Sequence, residues 1–330
     1  MLLSRRSIRS ILIGSSPYDE TSRFNKVAFP GKNTPILKIV DFLNARAREN
    51  QWGFVDFNRP MVAINQWEQA ADSMYTLCGK DRIHPSTDGH LVMAYLFLKA
   101  QGLAGKPVAD IRIDGAGKKV TRSDNCRVSD LSISSDNLTF TYEAKSLPYP
   151  IDTSYYDNEK HTQADALSVI PFMDEMNYEG LSVSGLSDGY YGLTIGGEFI
   201  GRFTARELER GINMALLQNT PQYKQAMKIR QMNEERWLKE RKMREFYWVE
   251  YNLMRKTGML WACNEAAVDT LRKYRPHDIF LQWNGALWLQ YMHKGIREDC
   301  VNEQQDLVNQ IYEQNKPIPL RIEIKKFTDL

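Results

Sequence analysis

The chain has 330 residues, 42% of them hydrophobic and 25% charged, enough to bury a substantial core and to form two domains. Its 43 basic and 41 acidic residues leave a formal charge of +2, which removes any global electrostatic reason to bind nucleic acid or an anionic membrane. Cys78, Cys126, Cys263 and Cys300 are too far apart for a Cys-x-x-Cys site and too few for a disulfide scaffold. They leave the compartment undecided. The longest apolar runs, such as Ile11 to Ile13, are too short to cross a bilayer, and Met1 to Arg6 lacks the apolar region of an export signal.

In chain order, Ile8 to Gly14 reads as a buried strand running into a Ser15-Ser16-Pro17 loop. Thr34-Pro35 opens a helix, because proline at the first helical position gives up an amide that would have no partner there. Ile36, Ile39, Val40, Leu43 and Ala47 form its apolar stripe. Gly53 to Phe57 is the short apolar run of an interior strand, and a second helix is expected from about Thr87 to Gln101, ended by Gly102. Strand, helix, strand, loop, helix is α/β order.

Beyond Gly105-Lys106-Pro107 the pattern alternates, from Val128 to Ile133 and Leu138 to Tyr142, then at Leu181 to Val183 and Tyr191 to Ile195. Gly196-Gly197 before Glu198-Phe199-Ile200 is a two-residue hairpin signal. Thr204-Ala205-Arg206-Glu207 is a capping box, and Thr220-Pro221 opens a helix expected to reach about Lys256. The expected division is an α/β part over 1–105, a β-rich segment over 106–203 and a helical region over 204–330.

The chemical signal is Asp81-Arg82-Ile83-His84-Pro85, in a loop that leads into the second helix. An aspartate can accept a hydrogen bond from one imidazole nitrogen and so fix the tautomer that leaves the other nitrogen free to take a proton. A histidine of ordinary pKa, about 6.5, suits general base work near neutrality. An aspartate three residues before a histidine also arises by chance, so a structural Asp-His pair is the competing reading. Ser15 and Ser16 read as loop-bonding residues, Ser187-Asp188-Gly189 as a turn, and His90, His161, His277 and His293 as structural. Lys239, Arg241, Lys242 and Arg244 form a solvated helix face interrupted by glutamates rather than a nucleic-acid site.

With Pro85, the Gly89-His90 step and the amphipathic helix, this loop resembles the last conserved block of the SGNH (GDSL-type) hydrolases. Ile11 to Glu20, Gly31 to Asn33, Val55 to Met61, Met176 to Glu179, Gly211 to Ala215 and Thr220 to Tyr223 resemble a bacterial branch of that family with a carboxyl-terminal extension. The resemblance implies the later half of a flavodoxin-like, three-layer parallel sheet domain, followed by the β-rich segment and helical tail. It implies a serine ester hydrolase for small acyl groups, such as acetyl groups on carbohydrate, with His84 as base, Asp81 as its orienting partner and no metal or organic cofactor.

The family's Gly-Asp-Ser and Gly-x-Asn-Asp blocks do not precede Asp81, so the resemblance implies an amino-terminally truncated member without its nucleophile. The expected partners are then a small ester or acetylated carbohydrate and an amino-terminal partner fragment, with neither nucleic acid nor a membrane span. Full-length relatives of that branch would fit a periplasmic or extracellular setting. The alternative is a non-catalytic remnant that binds glycan or protein.

Overall fold

A computed structural model describes residues 9–24, 28–154 and 161–327. Met1 to Arg6 and Ile8, named above for the missing export signal and the first strand, lie outside the described residues. β1 (Ile11–Gly14) and β2 (Gly53–Asp56) pair in parallel, with Ile11 opposite Gly53 and Gly14 opposite Asp56. Parallel neighbours need a crossover, and α1 (Asn33–Glu49) supplies it. Val40 and Ala47 are the buried residues of α1, whereas Ile39 of the expected stripe is exposed.

The stretch expected as a loop after β2 begins with a helix, α2 (Asn58–Glu68). Pro60 lies in its first turn, where a missing amide costs nothing. Met61 and Asn65 on its inner face are buried. α3 (Thr87–Ala100) begins where the sequence places it. Val55, Met61, Leu77, Val92 and Tyr95 share one core with Ala166, Ile170 and Phe172, so chain from the middle of the β-rich segment folds back over the α/β part.

β3 (Ala109–Asp114), β4 (Lys119–Asp124), β5 (Cys126–Ile133) and β6 (Asn137–Ala144) come next. After α4 (Phe172–Glu175) follow β7 (Glu179–Ser184), β8 (Tyr190–Ile195), β9 (Glu198–Thr204), α5 (Ala205–Arg210) and β10 (Ile212–Asn213). One sheet has the order β10-β7-β3-β4, its β3 and β7 pairing in parallel. Its inner residues Ile111, Ile113, Leu181 and Val183 share a core with Phe140, Leu193 and Ile195 of the other sheet. The Thr204 capping box forms with both bonds, the Glu207 amide donating to Thr204 Oγ1 at 3.1 Å and the Thr204 amide to Glu207 Oε2 at 2.7 Å.

α6 (Pro221–Val249) runs into a π-helical turn over Glu250–Met254 and is followed by α7 (Glu265–Tyr274), α8 (Ile279–Tyr291) and α9 (Lys294–Gln314). The buried Glu250 carboxylate ties these helices together, accepting from the Trp288 indole and the Trp261 amide, both at 2.8 Å. The expectation of a wholly helical last third is corrected at its end. β11 (Leu320–Lys326) enters the second sheet between β6 and β8, with Ile322 opposite Phe140 and Ile195. Leu320, Ile322 and Ile324 alternate with Arg321, Glu323 and Lys325, so the period of two is present but its partners lie over a hundred residues away. The fold is thus mixed α/β, with several sheets and a helical carboxyl-terminal region. Among the described residues no helix is long and apolar enough to cross a membrane.

At the junction of β6, β7 and α6 sits Glu179, which is fully buried. Its Oε1 accepts from the Tyr142 hydroxyl at 2.8 Å and from Gln222 Nε2 at 3.2 Å, while its Oε2 is buried without a hydrogen-bond partner among the described residues. Burial pushes this carboxyl up to about 7, and the two donated bonds only partly pull it back. Between the ordinary carboxyl value of 4.5 and about 7 the folded chain therefore holds a proton that the unfolded chain has released. This contribution to stability is complete below that window and is lost as pH rises through it. Thermal unfolding from pH 4.5 to pH 8 should show the wild type losing on the order of 3 kcal/mol relative to Glu179→Gln. Equal pH dependence in the two proteins would rule the buried acid out as the cause.

Candidate active site

The loop from Thr76 to Ser86 carries Asp81 and His84. It is held tightly at both ends. Gly79 has φ +61°, and a Cβ there would lie 2.7 Å from the His84 carbonyl oxygen. Gly89, in the first turn of α3, faces Leu77, whose carbonyl oxygen would lie 2.3 Å from a Cβ. The Ser86 amide donates to that same carbonyl at 3.1 Å. Asn65 of α2 accepts from the Leu77 amide at 2.9 Å, so the unanticipated helix sets the entry to the loop.

Within the loop, Asp81 Oδ1 accepts the amides of Ile83 at 3.1 Å and His84 at 2.9 Å. Its Oδ2 accepts from His84 Nδ1 at 2.5 Å. Partial burial works to raise the Asp81 carboxyl, but the imidazole and the two amides outweigh it and bring it down to about 2. The carboxylate is therefore ionised at any pH where a histidine base operates. With Nδ1–H committed to Asp81, the lone pair of Nε2 points away from the pair. The His84 side chain is 85% exposed, and among the described residues Asp81 is the imidazole's hydrogen-bond partner.

Between the two lies Arg82, only 2% exposed, a residue type that is seldom so buried. Its φ is +71°, a left-handed conformation that turns its side chain under the loop while Asp81 and His84 remain at the surface. Its guanidinium donates to the carbonyls of Ser22 at 2.9 Å, Asp19 at 3.2 Å and Phe24 at 3.4 Å, and stacks 4.2 Å from the Phe24 ring. The Asp19 amide returns a bond to the Arg82 carbonyl at 2.8 Å. Asp19 in turn accepts from Thr21, Ser22, Asn65 and Gln69. Sequence reasoning missed Arg82, and no local pattern distinguishes a buried arginine from a solvated one in a polar loop.

Ser16 lies against the same loop, its hydroxyl donating to the Ile83 carbonyl at 3.5 Å, and Ser15 bonds the Ser16 carbonyl at 3.1 Å. His161 approaches from the segment between β6 and β7, with Nδ1 3.9 Å from Asp88 Oδ2 and its ring edge-on to Tyr75 at 5.6 Å. Burial raises the Asp88 carboxyl above its usual range, opposed by the Ser86 hydroxyl, by His161 and by the Gly89 amide. His90 is exposed on α3, His277 lies far along the chain in a 3-10 turn, and His293 contacts Cys263 at 3.3 Å. Among the described residues no three His, Cys, Asp or Glu side chains stand together as a metal site. Arg241 and Arg244 of α6 pair with Glu245 and Glu240, and Lys239 with Glu303 of α9.

With this geometry in place, comparison with known proteins defines the class. Residues 227–316 match the family model described as the diltiazem deacetylase C-terminal helical domain. A solved structure, "BT4096 a gut microbial diltiazem-metabolizing enzyme", superposes with a TM-score of 0.90 at 41% identity over 97% of this chain and 73% of that one. The chain belongs to the family of that enzyme. No curated protein matches it.

These matches overturn the SGNH (GDSL-type) assignment, because both point to the diltiazem deacetylase family instead. The physical reason is local. An aspartate whose carboxylate accepts the amides two and three residues ahead forms an Asx turn, and that turn alone brings a histidine at the third position onto its other oxygen. Asp-x-x-His is therefore a stable local design with no family written into it.

Removing the Arg82 side chain leaves several buried carbonyls without donors. Arg82→Ala should lower stability by about 2–4 kcal/mol in urea unfolding, with Arg82→Lys intermediate because an ammonium cannot reproduce the guanidinium fork. A loss below about 1 kcal/mol for the alanine variant would contradict the clamp.

Proposed function

We propose that the chain is an ester hydrolase that removes acetyl groups, with His84 as general base and Asp81 as its orienting and charge-balancing partner. The carrying observation is the 2.5 Å bond between His84 Nδ1 and Asp81 Oδ2 beneath an otherwise exposed imidazole. Further support is the family to which the chain belongs, whose matching model is named for a deacetylase.

In this reading His84 Nε2 takes the proton of an attacking serine hydroxyl, a group that no described residue places in hydrogen-bond contact with the imidazole, as its oxygen adds to the ester carbonyl. The imidazolium so formed is stabilised by the ionised Asp81. It then returns the proton to the departing alcohol oxygen as the tetrahedral intermediate collapses to an acyl-enzyme. Water, activated by the same nitrogen, releases acetate and restores the hydroxyl. Asp81 never needs to accept the proton, which agrees with a carboxyl held at about 2.

With an aryl acetate as substrate, His84→Ala should lower kcat/KM by about 10²- to 10⁴-fold, and Asp81→Asn by a similar factor through loss of the productive tautomer. The wild-type pH–rate profile should show no break attributable to Asp81 until pH approaches 2. Turnover unaffected by His84→Ala would eliminate this assignment. A fluorophosphonate should label one serine in the wild type and much more slowly in His84→Ala; intact hydrolysis without labelling would replace the acyl-enzyme with direct attack by water.

A further inference from the structure

Of the four cysteines, Cys78, Cys126 and Cys300 are buried and Cys263 alone is exposed. Burial pushes the Cys78 thiol up to about 12 and the Cys126 thiol up to about 11, so neither supplies a nucleophile near neutrality. Cys263 differs in a second respect. Its Sγ lies 3.3 Å from Nδ1 of His293, which is also exposed and stands 30 residues away in the chain. Neither residue belongs to the site around His84.

The pair is placed by the starts of two helices. Asn264, the residue after Cys263, caps α7 by accepting the Ala267 amide at 3.0 Å, and the earlier amides of that turn have no partner inside the helix. His293 occupies the cap position of α9 but makes no capping bond with its side chain, so the imidazole is not committed to its own helix. Behind the thiol, the Trp261 amide is tied to the buried Glu250 carboxylate at 2.8 Å. Behind the imidazole, Arg297 donates to the Met292 carbonyl at 2.8 Å. Both backbones are therefore anchored, and sulfur and nitrogen meet between two fixed helix ends.

This arrangement suits removal of a thiol proton. With its own proton on Nε2, the imidazole offers the Nδ1 lone pair to the S–H. Charge that develops on the sulfur lies at the positive end of a helix dipole, where an anion is favoured. A cysteine that only fills space needs neither a base nor access, and Cys263 has both. The other three thiols are buried, so a bond formed between Cys263 and an outside sulfur has no second exposed thiol in the chain to displace it.

We propose that Cys263 is a modification site that exchanges with a low-molecular-weight disulfide, with His293 as its base. His293 Nδ1 takes the thiol proton as the Cys263 sulfur attacks one sulfur of the small disulfide. The S–S bond of that molecule breaks while the mixed disulfide forms. The displaced sulfur leaves with the bonding electron pair, takes the proton from the imidazolium and departs as a free thiol. Cys263 is thereby oxidised and the departing sulfur reduced, so the small disulfide is the only oxidant required. Without a resolving thiol the reaction stops at the mixed disulfide.

Reaction with dithiodipyridine, followed by the absorbance of the released thione, reads the rate. At pH 7 the folded chain should show one fast thiol, at Cys263, reacting roughly tenfold faster than the thiols of the urea-unfolded chain. Cys263→Ser should remove the fast phase. His293→Asn, which keeps a favourable cap for α9 while removing the base, should slow it to about the unfolded rate. Oxidised glutathione, followed by mass spectrometry of the intact chain and its peptides, should add one glutathione to the wild type, on the peptide that contains Cys263. A fast phase that survives in Cys263→Ser, a Cys263 rate no greater than that of the unfolded chain, or equal rates in wild type and His293→Asn would overturn the proposal.

Discussion

The arrangement at the candidate site depends on one buried cation. Arg82 reaches from the centre of the motif into the loop over Asp19 to Phe24 and binds three of its carbonyls. A guanidinium can satisfy several carbonyls at fixed angles because its donors lie in one rigid plane. With Arg82 held below, the loop is fixed against Asp19 to Phe24 and so presents the locally formed Asp81–His84 pair at the surface. The left-handed backbone at Arg82 is the local cost of pointing neighbouring side chains in opposite directions.

Other long-range connections use the same device, a buried charged or ionisable group shared between elements distant in sequence. Glu250 joins the π-helical turn to Trp261 and Trp288, Glu179 joins β7 to Tyr142 and Gln222, and Asp152 meets Arg230 of α6. Each specifies a particular packing, because a half-satisfied buried charge is more costly than none. Through Asp152 and Arg230 the helical region abuts the segment 145–152, and α6 and α9 share a cleft with Thr87 at the start of α3.

Much of the local structure was legible in the residues. The proline-started helix α6, the Thr204 capping box, the Gly196-Gly197 hairpin and the helix after Pro85 all follow from interactions within a few residues, whereas α1 begins at Asn33, two residues before the proline expected to start it. The two omissions have different causes. α2 carries Pro60 in its first turn and a polar sequence whose inner face includes Asn65, so it shows little apolar periodicity. β11 has a clear period of two, but at seven residues after a long helical stretch its role as an interior strand depends on β6 and β8.

The sequence by itself determined the Asp81–His84 pair, because an Asx turn needs nothing outside its own few residues. It also determined the starts of α3, α5 and α6, since caps and prolines act on the nearest amides. Only the tertiary structure decided that Arg82 is an interior clamp, that β11 is a strand in the second sheet, and that α6 and α9 form a cleft with the start of α3. Those outcomes join residues tens to hundreds of positions apart, and burial of that kind leaves no local periodicity to read. The family, too, was decided by the whole chain superposed on a relative, because the loop that carries the chemistry is too short and too self-sufficient to record descent.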